Sequence, residues 1–425
     1  MSAVLSKRVL DEFAAVRESL PAAVVNPARR QEAIQALAAG GLPTTRDENW
    51  RYTNLRPLDR ARLAPVVPTS SAPSLPPGLA GFARYVFVDG AFAPELSAPR
   101  EQQGLAVRRQ PAALPPLSAL PEARLALLNE AFATDAAAIH VGAAAGEPAR
   151  VELIFVALGG AETGTSYPRV QINLDPSSHL ILVERHVSAD GGASFVNSSV
   201  SVDIGRGAHL THYRLQQAGG RASWLDTLSA VLAADSRYGL LAVNTGALSA
   251  RSTTHVRMAG PGAELALSVA ALGDCQQVQD NFALVEHIAP RARTEQTFRG
   301  IASGRARVAF NGKIAVREGA SGTDSRQSLR GLLAGPEAEI DVRPQLEIYT
   351  DDVRCSHGAT AGKLDDNMLF YLLSRGLSAE VAQRLLKWAF LEDVVSKIEI
   401  PDLRRHIEHE LAGQMADAAS LKELL

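Results

Sequence analysis

A cysteine and a histidine two positions apart, near the C-terminus, are the residues of this chain best suited to metal or sulfur chemistry. Cys355 and His357 stand in the segment DDVRCSHGATAGKLDDNMLFYLLSRG, which spans residues 351–376. Residues i and i+2 of a β-strand share a face, so the thiol and the imidazole would lie side by side. Both groups are ligands that suit iron or zinc. A structural metal wants about four ligands, so we expect another segment or a partner to complete any site.

Helical patterns follow this pair to the end of the chain. Gly358 predicts the end of the strand, and Asp365 with Asp366 opens an amphipathic helix. Gly376 ends that helix, and Ser378 caps the next one. A third helix begins at Pro401.

The second of these helices has an apolar stripe that includes Leu386, Phe390 and Val394. Core packing is the ordinary explanation for such a stripe, and for Trp388 beside it. A stripe more apolar than its own domain needs is instead a partner-binding surface, which is the alternative.

The middle of the chain, from about 151 to 349, consists of short β-branched runs separated by small polar turns. The first residues of six similar turns are spaced 30, 30, 25, 30 and 45 residues apart; they are Pro176, Arg206, Ser236, Pro261, Arg291 and Pro336. A unit of about 30 residues without intervening helices predicts a parallel β-helix, a solenoid whose coils bury their apolar faces on one another. A β-sandwich with regular short strands is the alternative.

The N-terminal third predicts helix, connection and hairpin in turn. Residues 1 to about 40 have helical spacing, and a Pro/Ser-rich stretch at 64–77 predicts a surface connection. Asp89–Gly90 between apolar runs predicts a hairpin, and a short helix is expected around 123–132. The predicted boundaries are a helical region with its connection at 1–80, a hairpin and short helix at 81–150, the solenoid at 151–358, and a helical domain at 359–425.

Two segments resemble nucleotide-binding motifs, but each lacks residues that its motif requires. The run Asn311–Lys313 resembles a phosphate-binding loop, but Arg307 replaces the required glycine and Ile314 the required Ser or Thr. A dinucleotide fingerprint starting at Gly205 fails because Leu210 occupies the third glycine position. We therefore expect this chain to bind no nucleotide.

Two histidines and the second cysteine give weaker signals. His209 and His212 are three residues apart on a predicted strand, so they face opposite sides and make a poor metal pair. Cys275 lies in a turn, where a small buried hydrophobe is expected and a role in sulfur transfer is the alternative.

Composition excludes several classes of protein. The chain of 425 residues has 43 basic and 46 acidic residues, so there is no basic footprint for nucleic acid. No run approaches the roughly 20 apolar residues that span a bilayer, and no signal-peptide pattern opens the chain. With only two cysteines, reduced thiols and a cytoplasmic location are expected.

Three motifs resemble the SufB/SufD family of iron-sulfur cluster assembly proteins. They are CSHGAT at 355–360 followed by LFYL and SRG, DENWRYT at 47–53, and LNEAF at 128–132 with Asp135. Ser356 and Gly358 stand where SufB proteins have glutamates, so the chain looks like the SufD branch.

That resemblance implies a right-handed parallel β-helix core flanked by N-terminal and C-terminal helical regions. It also implies a scaffold subunit without turnover of its own, which pairs with a SufB-type paralogue and docks a SufC-type ATPase through its C-terminal helices. His357, with Cys355, would then contribute ligands to a transient iron-sulfur cluster shared with SufB. Whether the isolated chain forms a homodimer, and whether it binds flavin, stays open.

Two other functions are compatible with a solenoid. A carbohydrate-active enzyme would need a pair of carboxylates across a groove, and Asp203, Asp280 and Asp324 are candidates. Their scattered positions and an aromatic content of 5% disfavour it. A purely structural interaction solenoid, with Cys355 and His357 incidental, is the third interpretation.

Overall fold

The computed structural model describes residues 3–67, 73–109, 122, 124–143, 146–159, 164–188 and 193–415. These residues form six α-helices: α1 (Ala3–Val16), α2 (Pro27–Gly40), α3 (Ala126–Phe132), α4 (Asp366–Ser374), α5 (Ala379–Val395) and α6 (Pro401–Met415). The strands before the first full coil are β1 (Ala83–Val88), β2 (Ala91–Phe92), β3 (Leu105–Arg109), β4 (Ala137–Val141), β5 (Ala149–Ala157), β6 (Arg169–Leu174) and β7 (His179–Ser188). The strands that follow are β8 (Phe195–Ile204), β9 (His209–Gln217), β10 (Ser223–Leu232), β11 (Arg237–Asn244), β12 (Ser249–Met258), β13 (Glu264–Gly273), β14 (Val278–His287), β15 (Arg293–Ala302), β16 (Arg307–Val316), β17 (Thr323–Leu333), β18 (Glu339–Ile348) and β19 (Val353–Gly362).

Successive strands alternate between two long sheets. The ten-stranded sheet has the order β19-β17-β15-β13-β11-β9-β7-β5-β1-β2, and the nine-stranded sheet has the order β18-β16-β14-β12-β10-β8-β6-β4-β3. From β4 onward each strand pairs in parallel with the strand two places later in the chain. The fold is therefore a parallel β-solenoid of about seven turns with helices at both ends, as predicted, and not a sandwich.

A recurrent turn sets the length of each coil. Residues in the left-handed backbone region stand two positions before the first aligned residue of six strands of the ten-stranded sheet, β7, β9, β11, β13, β15 and β17; they are Ser177, Gly207, Asp235, Gly262, Arg291 and Gly322. These turns stack, because the amide of one donates to a carbonyl of the next, as Gly207 does to Ala234. The sequence pattern did not predict the last of these turns, at Gly322. The turn at Pro336 belongs to the other sheet, which explains the 45-residue gap.

Apolar ladders fill the interior of the solenoid, and helices cover its outer faces. The inner side of β16 shows the pattern, with Val308, Phe310, Ile314 and Val316 in the main core. Helices α1 and α3 form a second core, with Trp50 and with Phe195 and Leu225 of the nine-stranded sheet. Helices α5 and α6 form a third core on the outer face of the ten-stranded sheet.

The structure also revises the N-terminal prediction. The predicted single helix to about residue 40 is two helices, because a turn after Val16 leads to Asn26, which caps α2 ahead of Pro27. The hairpin at Asp89–Gly90 is present as β1 and β2. Strand β1 pairs with β5 and β4 pairs with β6, so both sheets begin before residue 151. Part of the 64–77 connection, residues 68–72, lies outside the described residues.

Candidate functional site at the open end of the solenoid

The two ends of the solenoid differ in how their outermost strands are paired. At the N-terminal end each sheet terminates in an antiparallel strand, β2 or β3. At the C-terminal end β18 and β19 are the outermost strands, and no other strand among the described residues pairs with their free edges. Residues of β18 are half-buried or exposed, whereas most of β16 is buried. We call this surface of β18 and β19, with Tyr349, the open end.

Cys355 and His357 lie in the last strand of the open end. The prediction that Gly358 ends the strand is wrong, because β19 continues to Gly362 and stays paired with β17. Cys355 is aligned with Ser325, and His357 with Gln327. Cys355 packs against the main core, so both side chains take inner positions of the last coil, on one face as expected.

The two groups differ in exposure and reactivity. His357 is exposed, whereas Cys355 is half-buried. Burial, and then the carboxylate of Asp324, raises the pKa of the Cys355 thiol. The adjacent Arg354 does not offset this effect, since neighbouring strand residues point to opposite faces and Arg354 does not share the cysteine's environment. The imidazole is the more available ligand.

The pair supplies two ligands of the soft or borderline kind. Within the described ranges, no group of three or more His, Cys, Asp or Glu residues is placed to hold a metal ion. A cluster at the open end would therefore need ligands from outside those ranges.

The other candidates lie elsewhere on the solenoid. His209 stacks on His179 on the outer face of the ten-stranded sheet, with ring centroids 4.5 Å apart. His212 is buried inside, 3.1 Å from Glu184 and from the Tyr238 hydroxyl. His209 and His212 thus face opposite sides of the sheet, as predicted.

Cys275 is exposed in its turn, where a buried position was expected. Its backbone is left-handed, with φ 55°. It follows β13, which lies three strands from the strand of Cys355 in the ten-stranded sheet.

The three carboxylates proposed for a carbohydrate enzyme do not converge. Asp280 is buried on the outer face of the nine-stranded sheet, 2.6 Å from an Arg251 nitrogen. Asp203 lies three strands away in that sheet, roughly 14 Å across the strands, and it is in register with Glu286 and not with Asp280. Asp324 belongs to the other sheet. A glycosidase pair needs about 5–10 Å, so this arrangement does not provide one.

The DENWRYT motif lies along the outer face of the nine-stranded sheet. The Arg251 guanidinium stacks over Trp50, 4.4 Å from the ring centroid, and the Thr53 hydroxyl donates to Asp280 at 2.5 Å. At the other end of the motif, Glu48 pairs with Arg343 of β18. The motif thus connects the N-terminal core to the outermost coil.

The LNEAF motif also connects the N-terminal region to the solenoid through side-chain contacts. Asn129 donates to the carbonyls of Pro168 and Asn197, and Glu130 pairs with Arg169 at 2.7 Å. Asp135 accepts from Arg109 at 2.8 Å. Sequence comparison identified these residues, but only the structure shows what they contact.

The C-terminal helices place their apolar residues in two environments. Val394 is 0% exposed in the third core, so it is not a surface residue, and its assignment to a docking surface is corrected. Phe390 and Leu386 are half-buried, and Phe390 packs on the same core. The exposed apolar residues lie mainly on α4, which we call the α4 patch: Met368 (59% exposed), Phe370 (73%), Tyr371 (56%) and Leu373 (39%).

No described helix is long and apolar enough to cross a membrane.

Comparison with known proteins identifies the family. Residues 155–390 match the SufBD core domain of the SUF system for FeS cluster assembly. The chain is 30% identical to the iron-sulfur cluster assembly protein SufD of Escherichia coli over 396 residues, which cover 92% of this chain and 93% of that protein. It is 27% identical to a SufBD family protein of Synechocystis over 93% of this chain and 92% of that protein. A chloroplastic protein of Arabidopsis thaliana is 29% identical over 58% of this chain and 53% of that protein. The chain therefore belongs to the SufB/SufD family of iron-sulfur cluster assembly proteins, and it is most like SufD.

Proposed function

We propose that this chain is a non-catalytic scaffold subunit of a cytoplasmic SufBCD-type complex. It pairs with a SufB-type paralogue through the open end and docks a SufC-type ATPase through its C-terminal helices. The observation that supports this best is the position of Cys355 and His357 in the outermost coil, beside two sheet edges that are unpaired within the described part of the chain.

The open end has the properties of a pairing surface. The outer edges of β18 and β19, with which no described strand pairs, offer backbone donors and acceptors to a partner strand. Apolar side chains accompany them, since Ile348 is 42% exposed and Tyr349 57% exposed. A paralogue with a similar last coil would extend both sheets and enclose Cys355 and His357 at the junction. A second copy of this chain would fit the same edges, so the isolated chain would pair with itself there.

At that junction His357 is the principal ligand. Its imidazole is exposed, while the Cys355 thiol has a raised pKa and ionises readily only when a metal or a partner cation is present. The paralogue supplies the remaining ligands of the nascent cluster, which is the product that this site builds and passes on.

The α4 patch is the proposed ATPase-docking surface. Four exposed apolar side chains on one short helix exceed what scattered surface residues usually present. Only residues 363–365 separate α4 from β19, so movement of α4 would be transmitted directly to the strand that holds Cys355 and His357. ATP-driven dimerisation of the ATPase would in this way open the junction.

Co-expression with the paralogue and the ATPase tests the pairing. We expect Ile348→Glu combined with Tyr349→Glu to release the paralogue while the ATPase stays bound, because the carboxylates would be buried at the junction. Leu248→Glu is the matched control, since Leu248 is 36% exposed but lies between β11 and β12, far from the open end. Normal recovery of the paralogue with the double variant would contradict the proposal.

A further inference from the structure

Two polar ladders run inside the solenoid and end at the candidate ligands. Gln296, Gln327 and His357 occupy aligned positions on β15, β17 and β19. Thr294, Ser325 and Cys355 form a parallel ladder two residues away. Inner positions of this solenoid are otherwise mostly apolar in the same coils, as Phe298, Phe310 and Leu329 show.

The orientation of the Gln327 amide is fixed by its neighbours. Its Nε2 donates to Gln296 Oε1 at 2.8 Å and to the Gly312 carbonyl at 3.0 Å. Gly312 leaves the space for this arrangement, because a Cβ there would stand 2.8 Å from Gln296 Oε1 and 2.9 Å from Gln327 Nε2.

That orientation leaves one atom without a partner. Gln327 is 4% exposed, and its buried Oε1 has no hydrogen-bond partner among the described residues. Burying an amide oxygen unpaired is unfavourable, so an acceptor in this position is expected to serve a donor. Because Nε2 is held by Gln296 in the preceding coil, the aligned neighbour on the other side is His357.

We propose that Gln327 is a positioning residue for His357. In this structure His357 is exposed and the two side chains are not hydrogen-bonded; when the imidazole turns toward the inside of the coil, Gln327 Oε1 accepts its N–H. That bond selects one tautomer and leaves the other ring nitrogen unprotonated for a ligand at the open end. Histidines that bind metals generally have such a hydrogen-bonded partner on the opposite nitrogen. This inference rests on the proposed function for the role of His357 as a ligand.

The tautomer of His357 tests the positioning directly in the full chain. In protein labelled with ¹⁵N-histidine, above the ordinary titration range of histidine, we expect two well-separated ring-nitrogen shifts, assigned by their loss in His357→Ala. Gln327→Met keeps the volume but removes the acceptor, so the two shifts should move toward an averaged value. Ser325→Ala is the matched control, because it removes a fully buried polar group of the same strand without altering the acceptor.

A second variant displaces the amide without removing it. Gly312→Ala should move the His357 shifts in the same direction, because the added Cβ crowds Gln296 and Gln327. This variant tests the positioning role if Gln327→Met does not fold. Unchanged His357 shifts in a folded Gln327→Met or Gly312→Ala protein would overturn the proposal.

The iron content of the complex distinguishes a failure of this inference from a failure of the proposed function. After co-expression with the assembly partners, we expect Gln327→Met to lower iron content on the order of tenfold, the usual scale for loss of such a partner. Altered shifts with wild-type iron would support the positioning and remove His357 from cluster binding. Unaltered shifts with reduced iron would overturn the positioning and leave the proposed function intact.

Discussion

The C-terminal helices allow a sharp prediction, in which the same substitution at two sites has opposite effects. Phe370→Glu, in the α4 patch, should abolish binding of the ATPase and leave the fold intact. Val394→Glu, on α5, should disrupt the packing of the helices on the solenoid. The apolar stripe that the sequence offers as an alternative docking surface includes Val394 and does not include Phe370.

The magnitudes follow from the burial of each residue. Val394 is 0% exposed, so a glutamate there loses about 2 kcal/mol of apolar burial and several kcal/mol more for desolvating a carboxylate. That sum is comparable to the whole stability of a typical domain, about 5–15 kcal/mol. Phe370 is 73% exposed, so only about a quarter of its burial is lost, which costs less than about 1 kcal/mol.

Two assays distinguish the outcomes. Amide hydrogen exchange should show strong loss of protection in α5 and α6 for Val394→Glu and wild-type protection for Phe370→Glu. Co-purification should show loss of the ATPase for Phe370→Glu and full recovery for Val67→Glu, a control at a residue that is 79% exposed. Wild-type protection together with lost ATPase binding in Val394→Glu would refute the assignment of Val394 to the core.

Three further predictions concern stability and reactivity. Arg251→Met should cost about 3–5 kcal/mol in urea unfolding because it removes the cation that pairs with the buried Asp280 carboxylate. Asp280→Leu in the same chain should restore most of the loss, and no recovery would contradict a pairing role. Burial lowers the pKa of His287 to about 4, so the folded chain binds fewer protons than the unfolded chain between that pH and about 6.5, and about 3 kcal/mol of stability should be lost as pH falls through this window. His287→Gln should flatten the dependence of the free energy of unfolding on pH. An unchanged slope would contradict the assignment of this dependence to His287. Cys275, which is exposed, should react with a thiol reagent faster than Cys355, whose pKa is raised; single cysteine-to-serine variants identify each rate, and the reverse order would contradict the assigned environments.

Local patterns predicted the solenoid because its coils repeat the same turn. Polar turn residues recur about every 30 residues, and the structure places a left-handed residue in or directly before five of the six predicted turns, all except the turn at Pro336. The turn at Gly322 was missed because its neighbours Ser321 and Thr323 do not resemble the other turns. The β1 and β4 strands were missed as solenoid members because their parallel partners lie beyond intervening segments.

The site was predicted in outline, but its surroundings required the fold. Alternation along a strand was enough to place Cys355 and His357 on one face. The raised pKa of Cys355 depends on burial and on Asp324 of the adjacent coil, which sequence spacing does not show. The burial of Val394 depends on how α5 packs on the ten-stranded sheet, which an apolar stripe alone does not specify.

The strand that holds Cys355 and His357 also shows the limit of residue preferences. Gly358 predicted a strand end, yet β19 continues because its ladder with β17 supplies backbone hydrogen bonds on one side. Glycine weakens a strand interior but does not end it when the neighbouring coil is in register.

Iron and acid-labile sulfide in the His357→Ala complex test the central claim most directly. The complex should be co-expressed with the full assembly set, and the recovery of both partners should be confirmed. Since His357 is exposed and adds little to the core, we expect wild-type fold and partner binding with sharply reduced iron and sulfide, and a smaller reduction for Cys355→Ala. Wild-type iron and sulfide in the His357→Ala complex would contradict the account and leave the chain as a structural partner only.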